Sequence, residues 1–332
     1  MNLLKTILIG FIIGIANIIP GVSGGTMALV LGIYERLIKA LHNISFKSVI
    51  IFFKLFTFSS QNFKEFQKEW QRLDSFFLTK IFCGALMAIF SLAKLMTYLL
   101  NNWPEYTYGF FWGLVLMSGL TPFLLIKKKS WLAGFLVIIA ASGVIITSQL
   151  VRGETLLKKA QAKYELQHSQ KELNIDKTQK LDPKNLIYFM IMGLVAISAM
   201  ILPGISGSFL LLLMGGYFEI LKAVSEKNLS LLFSFAVGSL IGLIIFSRLL
   251  NYLLKKWSDL TMSFLLGLVL GSLWVIWPFK TKVQVGDQTV YLDNFFPQDF
   301  SMVTFFTLLT IFLGIGVVLI IFQIEKRSQK IK

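Results

Sequence analysis

Length, composition and charge indicate a membrane protein. Of the 332 residues, 55% are hydrophobic and 15% are charged, whereas soluble domains carry about 25% charged residues. These values exclude a soluble enzyme and a disordered chain, and the single cysteine, Cys83, excludes a disulfide scaffold. The net charge of +15 fits basic enrichment in cytoplasmic loops better than nucleic-acid binding, because the chain is so apolar.

In chain order, the first half of the sequence (1–151) begins with two apolar arms that together cover 3–41. The segment PGVSGG separates the two arms and is called the first break below. Three apolar runs follow, each close to the ~20 residues that a helix needs to cross a bilayer. They predict spans at 76–100, 106–126 and 131–150. A polar linker, 152–184, then joins the halves.

The second half (185–332) repeats this order. Its arms cover 185–223 and are separated by PGISGS, the second break. The arms of the two halves align without a gap at an offset of 183 positions, and a later block aligns at an offset of 154. Matched identities include Gly10/Gly193, Pro20/Pro203, Tyr34/Tyr217, Trp103/Trp257 and Gly113/Gly267. The chain is therefore interpreted as a duplicated unit, with spans at 230–254, 260–278 and 301–322.

Charge predicts how the repeats lie in the membrane. If each pair of arms enters and leaves on one side, each half has three crossings and the halves are inverted. The cytoplasmic side then holds 17 basic and 6 acidic residues, against 12 and 11 outside. A full crossing at each break would divide the basic residues almost evenly. We therefore expect both termini in the cytoplasm and the 152–184 linker outside. Charge alone fits a full hairpin of the same parity equally well, but the Gly/Pro breaks favour re-entrant arms. The predicted fold is an all-α polytopic membrane protein with an inverted repeat, in which each half is a re-entrant helix pair plus three transmembrane helices.

The two breaks are the candidate substrate site. Proline ends a helix, serine is a good helix N-cap, and glycine allows a ligand to approach bare backbone. Free N–H groups at a helix start favour an anion, and irregular backbone at membrane depth needs protein or a cavity around it. The alternative is that these small residues only permit tight helix crossings. The candidate residues are Pro20, Gly21, Ser23, Gly24, Gly25, Thr26, Pro203, Gly204, Ser206, Gly207 and Ser208.

Charged residues in or near the spans are further candidates. Lys94 and Arg248 occupy equivalent positions and are candidate phosphate ligands, although both lie near enough to a span end to snorkel. Glu35, Arg36 and Glu219 end the second arms and are candidates for proton or sodium coupling. An ordinary interfacial ion pair explains these three equally well.

Other chemistry is sparse in the sequence. His42 and His168 are the only histidines, no cluster has metal-ligand spacing, and no P-loop is present. We therefore expect no metal, no cofactor and no catalytic residues. The segment 46–56 has the pattern of a helix lying at the inner membrane interface.

The doubled motif resembles a bacterial family of polyprenyl-phosphate transporters, formerly a domain of unknown function. The resemblance runs from about residue 5 to 325 and rests on the two breaks, on the arm ends GIYERL and GGYFEIL, and on GLVLMSG and GLVLGSL. It implies an all-α inverted-repeat carrier in the bacterial plasma membrane. The implied activity is the return of undecaprenyl phosphate, a carrier lipid of cell-wall synthesis, from the outer to the inner leaflet. The chain departs from a perfect pair at Ser208, which stands where the first break has Gly25.

Two other functions fit the same architecture less well. A transporter or channel for a small anion would also use glycines at helix starts. A membrane lipid phosphatase would need a nucleophile with a base, or a metal, inside the spans.

Overall fold

The structure is a computed structural model that describes residues 3–18, 24–57, 59–150, 183–205, 207, 210–211, 214–225, 228–285 and 288–330. The predicted linker falls almost entirely outside these ranges. The described helices of the first half are α1 (Leu3–Ile18), α2 (Gly24–Val30), α3 (Tyr34–His42), α4 (Phe46–Lys54), α5 (Ser60–Arg72), α6 (Ser75–Asn102), α7 (Pro104–Ser118), α8 (Leu120–Leu125) and α9 (Trp131–Leu150). Those of the second half are α10 (Pro183–Ile201), α11 (Tyr217–Ser225), α12 (Leu229–Lys256), α13 (Ser258–Val275) and α14 (Met302–Lys330).

The helical, multi-pass class predicted from the sequence is confirmed. Six candidate membrane spans occur in the described part of the chain, each long and apolar enough to cross a bilayer. They are Ser75–Leu92, Pro104–Leu125, Trp131–Gln149, Leu229–Lys256, Ser258–Val275 and Met302–Ile320. α1 and α10 carry shorter apolar stretches, Leu3–Asn17 and Leu186–Ile201.

The second arm of the first half is divided into two helices. α2 ends at a turn where Gly32 has φ +65°, and α3 begins two residues later. Gly215, at the equivalent position, has φ +77° and precedes α11 in the same way. Glycine is favoured in this left-handed region because it has no Cβ to clash. The matched glycines thus set the same turn in both halves.

In each half the first arm packs on the first span through glycines. A Cβ on Gly10 would lie 2.2 Å from the carbonyl oxygen of Ile81, and one on Gly14 would lie 2.5 Å from that of Ala85. In the second half, a Cβ on Gly238 or on Gly242 would likewise overlap the carbonyl oxygen of Met190 or of Leu194. In each pair, a residue four positions later in one helix contacts a residue four positions later in the other. α1 therefore runs parallel to α6, and α10 runs parallel to α12. Small residues allow this close approach, which suits helix packing in lipid.

The remaining spans pair across the two halves. A Cβ on Gly109 would lie 3.0 Å from the carbonyl oxygen of Thr307, and one on Gly113 would lie 2.0 Å from that of Ile311, so α7 and α14 run parallel. Similarly, Gly267 and Gly271 of α13 face carbonyl groups that lie one turn apart on α9. α13 and α9 therefore also run parallel. The two halves therefore form one bundle, in which spans of one half pack on spans of the other, rather than two separate bundles.

An antiparallel hairpin follows α13, formed by β1 (Lys280–Val285) and β2 (Gln288–Asn294). The sequence analysis predicted no strand here. The hairpin packs against the turn between α6 and α7: Tyr291 donates its hydroxyl hydrogen to the carbonyl oxygen of Leu100 (2.8 Å), and Lys282 pairs with Glu105 (2.6 Å). Burial raises the pKa of Tyr291 to about 12, and Glu105 adds to the shift.

The predicted interfacial segment forms α4 and a short 3-10 turn, Leu55–Thr57. Ser45 caps α4, and the Ser48 hydroxyl donates to Glu69 of α5. α4 leaves Phe46 and Phe53 more than half exposed. This exposure is typical of a helix that rests on a lipid surface.

Candidate functional site

The two breaks meet in the interior of the molecule. The backbone N–H of Gly204 donates to Oγ1 of Thr26 over 3.0 Å, and Thr26 is only 1% exposed. The hydroxyl of Tyr34, which is also buried, donates to the carbonyl oxygen of Ile201 over 3.2 Å. Residues at the start of α2 and α3 therefore meet the end of α10 and the second break at one place in the fold.

The contact between the breaks requires glycine at position 25. A Cβ there would lie 2.8 Å from the carbonyl oxygen of Ile201 and 3.2 Å from the nitrogen of Pro203. Real Cβ atoms essentially never approach as closely as 2.8 Å, so a larger residue would push the second break away. Gly25 thus brings the start of α2 into contact with the end of α10.

Backbone conformation also requires glycine at position 204. Pro203 cannot continue α10, and Gly204 turns the chain with φ +81°. A Cβ on Gly204 would lie 2.5 Å from the carbonyl oxygen of Leu268, in α13. The second break is therefore held between α2 on one side and α13 on the other.

The two breaks differ chemically at one matched position. The side-chain Oδ1 of Asn17 accepts a hydrogen bond of 2.9 Å from the N–H of Gly24, the first residue of α2. Met200 stands at the equivalent position of the second half, and a Cβ on Gly207 would lie 2.7 Å from its Cγ. The first break thus has a polar, exposed side chain where the second has a thioether.

The remaining candidates are placed as follows. Gly25, Thr26, Pro203 and Gly204 lie at the contact between the breaks, whereas Gly24 faces Asn17 of α1 and Gly207 faces Met200 of α10. The other five break residues are outside the described residues: Pro20, Gly21, Ser23, Ser206 and Ser208.

The matched cations lie on the first spans of their halves. Lys94 is part of α6, and Arg248 is exposed on α12, next to the fully buried Ser247. No hydrogen bond or ion pair joins Arg248 to the described residues of either break. Its positive charge and that of Lys255 act on His42 at the end of α3: burial lowers the pKa of this imidazole, and the two cations lower it further. Arg248 therefore faces the end of α3.

Arg36 has a structural partner that the sequence analysis missed. Its guanidinium forms a two-point ion pair with Asp74 (2.8 and 3.1 Å) and lies 4.2 Å above the ring of Phe77. Both groups are partly exposed, so the pair contributes little to stability, but it fixes α3 against the start of α6. Glu35 and Glu219 are exposed.

Within the described ranges, no group of three or more His, Cys, Asp or Glu side chains is arranged to hold a metal ion. The contact between the breaks offers backbone amides, hydroxyls and small residues. Such groups can bind an anion by hydrogen bonding.

Comparison with known proteins decides the family. Residues 13–292 match the family model described as VCA0040-like, undecaprenyl phosphate translocase-like. The chain belongs to this family. The family that the doubled motif resembles is thereby confirmed.

Two named relatives of this translocase-like chain support the assignment. A polyprenyl-phosphate transporter of Vibrio cholerae serotype O1 (strain ATCC 39315 / El Tor Inaba N16961) is 35% identical over 339 residues, covering 99% of this chain and 98% of that protein. A polyprenyl-phosphate transporter of Staphylococcus aureus (strain NCTC 8325 / PS 47) is 32% identical over 288 residues, covering 84% and 86%. No solved structure matches the chain.

Sequence reasoning missed three residues that contact the candidate site residues or the helix beside them. Tyr34 and Tyr217 are matched across the repeat, but the sequence does not show that Tyr34 binds the end of α10. Asn17 could have been found, because it is a polar residue in an apolar arm where the other half has Met200. Asp74 gives no sequence signal, because its partner Arg36 lies 38 positions away in a different element.

Proposed function

We propose that this chain translocates undecaprenyl phosphate, or a closely related polyprenyl phosphate, from the outer to the inner leaflet of the bacterial plasma membrane. This activity would recycle the carrier lipid used in cell-envelope synthesis. The observation that carries the proposal is the buried contact of the two breaks, Gly204 to Thr26, in a chain whose named relatives are polyprenyl-phosphate transporters.

Helix directions support an inverted arrangement of the repeats. α9 follows α7 and α8 after the short turn 126–130, so these consecutive spans run in opposite directions. α13 runs parallel to α9 by its glycine contacts and is therefore opposed to α7, its own repeat equivalent. Equivalent spans pointing in opposite directions are the mark of an inverted-repeat transporter.

Contacts of the arms support a re-entrant path in the first half. α1 runs beside the first part of α6, as shown by the approach of Gly10 to Ile81. After α2 and α3 the chain is again beside the start of α6, where Arg36 meets Asp74. We infer that both arms enter and leave on one face, and that the second-half arms 185–223 do so from the opposite face.

Loop contacts support the sidedness. The N–H groups of Lys127 and Lys128 both donate to the carboxylate of Asp259, which joins two loops assigned to the cytoplasm. The hairpin and the α6–α7 turn, both assigned to the outside, are joined by the Lys282–Glu105 pair. This orientation places both termini in the cytoplasm.

The phosphate is proposed to bind where the breaks converge. Its ligands would be the N–H groups and hydroxyls of the segments Pro20–Thr26 and Pro203–Ser208. Lys94 and Arg248 would attract the phosphate from the two ends of its path across the membrane, because a buried anion needs charge compensation. Exposed Glu35 and Glu219 are proposed to exchange a coupling proton or sodium ion, whereas Arg36 is held by Asp74. We propose no catalytic role for any residue.

Transport selectivity tests this proposal. Purified protein in vesicles is supplied with undecaprenyl phosphate, inorganic phosphate or chloride, with and without a proton or sodium gradient. We expect translocation of the lipid phosphate and no flux of either inorganic anion. Arg248→Gln and Lys94→Gln should slow translocation roughly tenfold, while Arg248→Lys retains most of it. Flux of the inorganic anions alone would favour an anion channel, and release of phosphate from undecaprenyl pyrophosphate would favour a phosphatase.

A further inference from the structure

We propose that an apolar cavity beside the first break binds a segment of the polyprenyl chain of the substrate while the phosphate lies at the breaks. The inference rests on the proposed function and assigns a second part of the same substrate to a second site. The cavity has a volume of about 330 Å³ and lies between α1, α6 and α7. Its lining includes Ile15, Met96, Leu99, Tyr106 and Phe110.

The cavity has an apolar floor and an aromatic edge. Met96 and Phe111 are 8% and 6% exposed and form part of the floor, whereas Trp103 is 48% exposed at the edge. The hydroxyl of Thr107, also in the lining, donates to the carbonyl oxygen of Trp103 over 2.8 Å. It is thus already hydrogen-bonded within the protein. A cavity lined in this way disfavours water and favours an apolar ligand.

The position of the cavity joins it to the break. Ile15 lies two residues before Asn17, whose side chain accepts the hydrogen bond from Gly24. The two side chains point to different faces of α1, but they lie only about 3 Å apart along its axis. A chain seated in the cavity therefore has one end at the depth of the first break. In the proposed orientation the α6–α7 turn lies outside, so Trp103 marks the end of the cavity nearest the outer leaflet. That leaflet is where the substrate would be loaded.

The second half repeats this lining only in part. Trp103, Thr107 and Phe110 have identical equivalents in Trp257, Thr261 and Phe264. The repeat equivalents of Ile15, Tyr106 and Phe111 are instead Ser198, Leu260 and Leu265, and Leu265 is fully buried in the core. Two of the four aromatic side chains of the lining, Tyr106 and Phe111, therefore occur in the first half alone.

The volume and lining favour part of a branched isoprenoid chain. Ligand pockets span roughly 300–1,000 Å³, so this cavity can hold a segment of a long chain and not the whole chain. The methyl branches and double bonds of a polyprenyl chain make dispersion contacts with ring faces such as that of Phe110. The rest of the chain would lie in the bilayer, against the exposed apolar faces of the spans.

A filled-cavity variant and a matched control test the proposal. Leu99→Trp fills the cavity, whereas Leu95→Trp places the same side chain one turn earlier on α6, at a position that is 45% exposed and not part of the lining. Equilibrium binding of undecaprenyl phosphate to purified protein is measured for both, with isopentenyl monophosphate as a competitor too short to reach the cavity. We expect Leu99→Trp to weaken binding of the long lipid roughly tenfold and to leave competition by the short phosphate unchanged. Leu95→Trp should bind as the parent protein does.

Three results would overturn the proposal. The first is unchanged binding of undecaprenyl phosphate in Leu99→Trp, and the second is an equal loss of binding in Leu99→Trp and Leu95→Trp. The third is competition by phosphatidic acid as strong as that by undecaprenyl phosphate, which would make the cavity an acyl-chain site. A polyprenyl phosphate with a photoreactive group in its chain provides a second readout on the parent protein. Adducts at Ile15 or within residues 96–111 support the proposal, and adducts confined to other parts of the chain contradict it. Failure of the parent protein to bind any polyprenyl phosphate would instead reject the proposed function itself.

Discussion

The backbone N–H of Gly204 donates a hydrogen bond of 3.0 Å to the hydroxyl oxygen of Thr26, although the two residues lie 178 positions apart in the chain. Thr26 is almost fully buried, so water cannot replace it as the acceptor. The bond links the second break directly to α2 of the first half. Any movement that separates the halves at this point must break it.

Thr26→Val should weaken the contact between the breaks. Valine has nearly the same shape as threonine but removes the acceptor of the partly buried N–H of Gly204, at a cost of about 1 kcal/mol. We expect a lower midpoint of thermal unfolding in detergent and slower lipid-phosphate transport. Thr26→Ser keeps the hydroxyl and is the control. Equal midpoints for the valine and serine variants would show that the hydrogen bond contributes nothing.

Gly25→Ala should separate the breaks by steric contact. Its Cβ would lie 2.8 Å from the carbonyl oxygen of Ile201, and overpacking of this kind costs about 1–3 kcal/mol. Gly134→Ala is the matched control, because a Cβ on Gly134 in α9 would meet nothing within 4 Å. That change should be neutral or stabilising by about 0.5–1 kcal/mol. Thermal unfolding of the two variants measures the difference, and similar midpoints would contradict the close approach.

Asn17→Asp should distinguish a structural role from a role near the substrate. Aspartate keeps an oxygen that accepts the hydrogen bond from Gly24, so the thermal midpoint should change little. Its negative charge would repel a phosphate at the first break, so we expect weaker binding of undecaprenyl phosphate. Asn17→Met, which copies Met200 of the other half, should lower the midpoint instead. Unchanged binding in Asn17→Asp would place the phosphate away from this break.

Much of the fold could be predicted from the sequence because its signals are local. Apolar runs near the length of a bilayer predicted the spans, and the boundary of 131–150 matches α9. The repeated PGVSGG and PGISGS segments predicted where each pair of arms is interrupted. The further turns at the matched Gly32 and Gly215 appear only in the structure.

The rest depended on long-range contacts that a single sequence does not encode locally. The hairpin at 280–294 interrupts an otherwise helical pattern, and it is held by the contact of Tyr291 with Leu100. The exchange of spans between halves depends on glycine contacts such as Gly113 with Ile311. At the site, the repeated breaks identified Gly25 and Gly204, but the approach of Gly25 to Ile201 and the bond of Gly204 to Thr26 follow only from the fold.

Acid should destabilise the protein through His42. Burial lowers the pKa of this imidazole below its ordinary value near 6.5, and Lys255 and Arg248 lower it further, so the folded state binds fewer protons than the unfolded state. The stabilising contribution is then complete above the ordinary pKa and is lost as the pH falls toward the lowered value. We expect the thermal midpoint to drop between about pH 7.5 and 5.5, and to drop less in His42→Gln. An identical pH dependence in both proteins would contradict this assignment.

The central claim is best tested by side-resolved translocation of undecaprenyl phosphate in vesicles that contain the purified chain in one known orientation. The lipid is placed in the leaflet that corresponds to the outer face, and its arrival in the opposite leaflet is followed with a membrane-impermeant probe of phosphate groups. The account predicts transfer well above that of protein-free vesicles and a clear reduction in Gly25→Ala, with Gly134→Ala unaffected. Transfer no faster than in protein-free vesicles would contradict it.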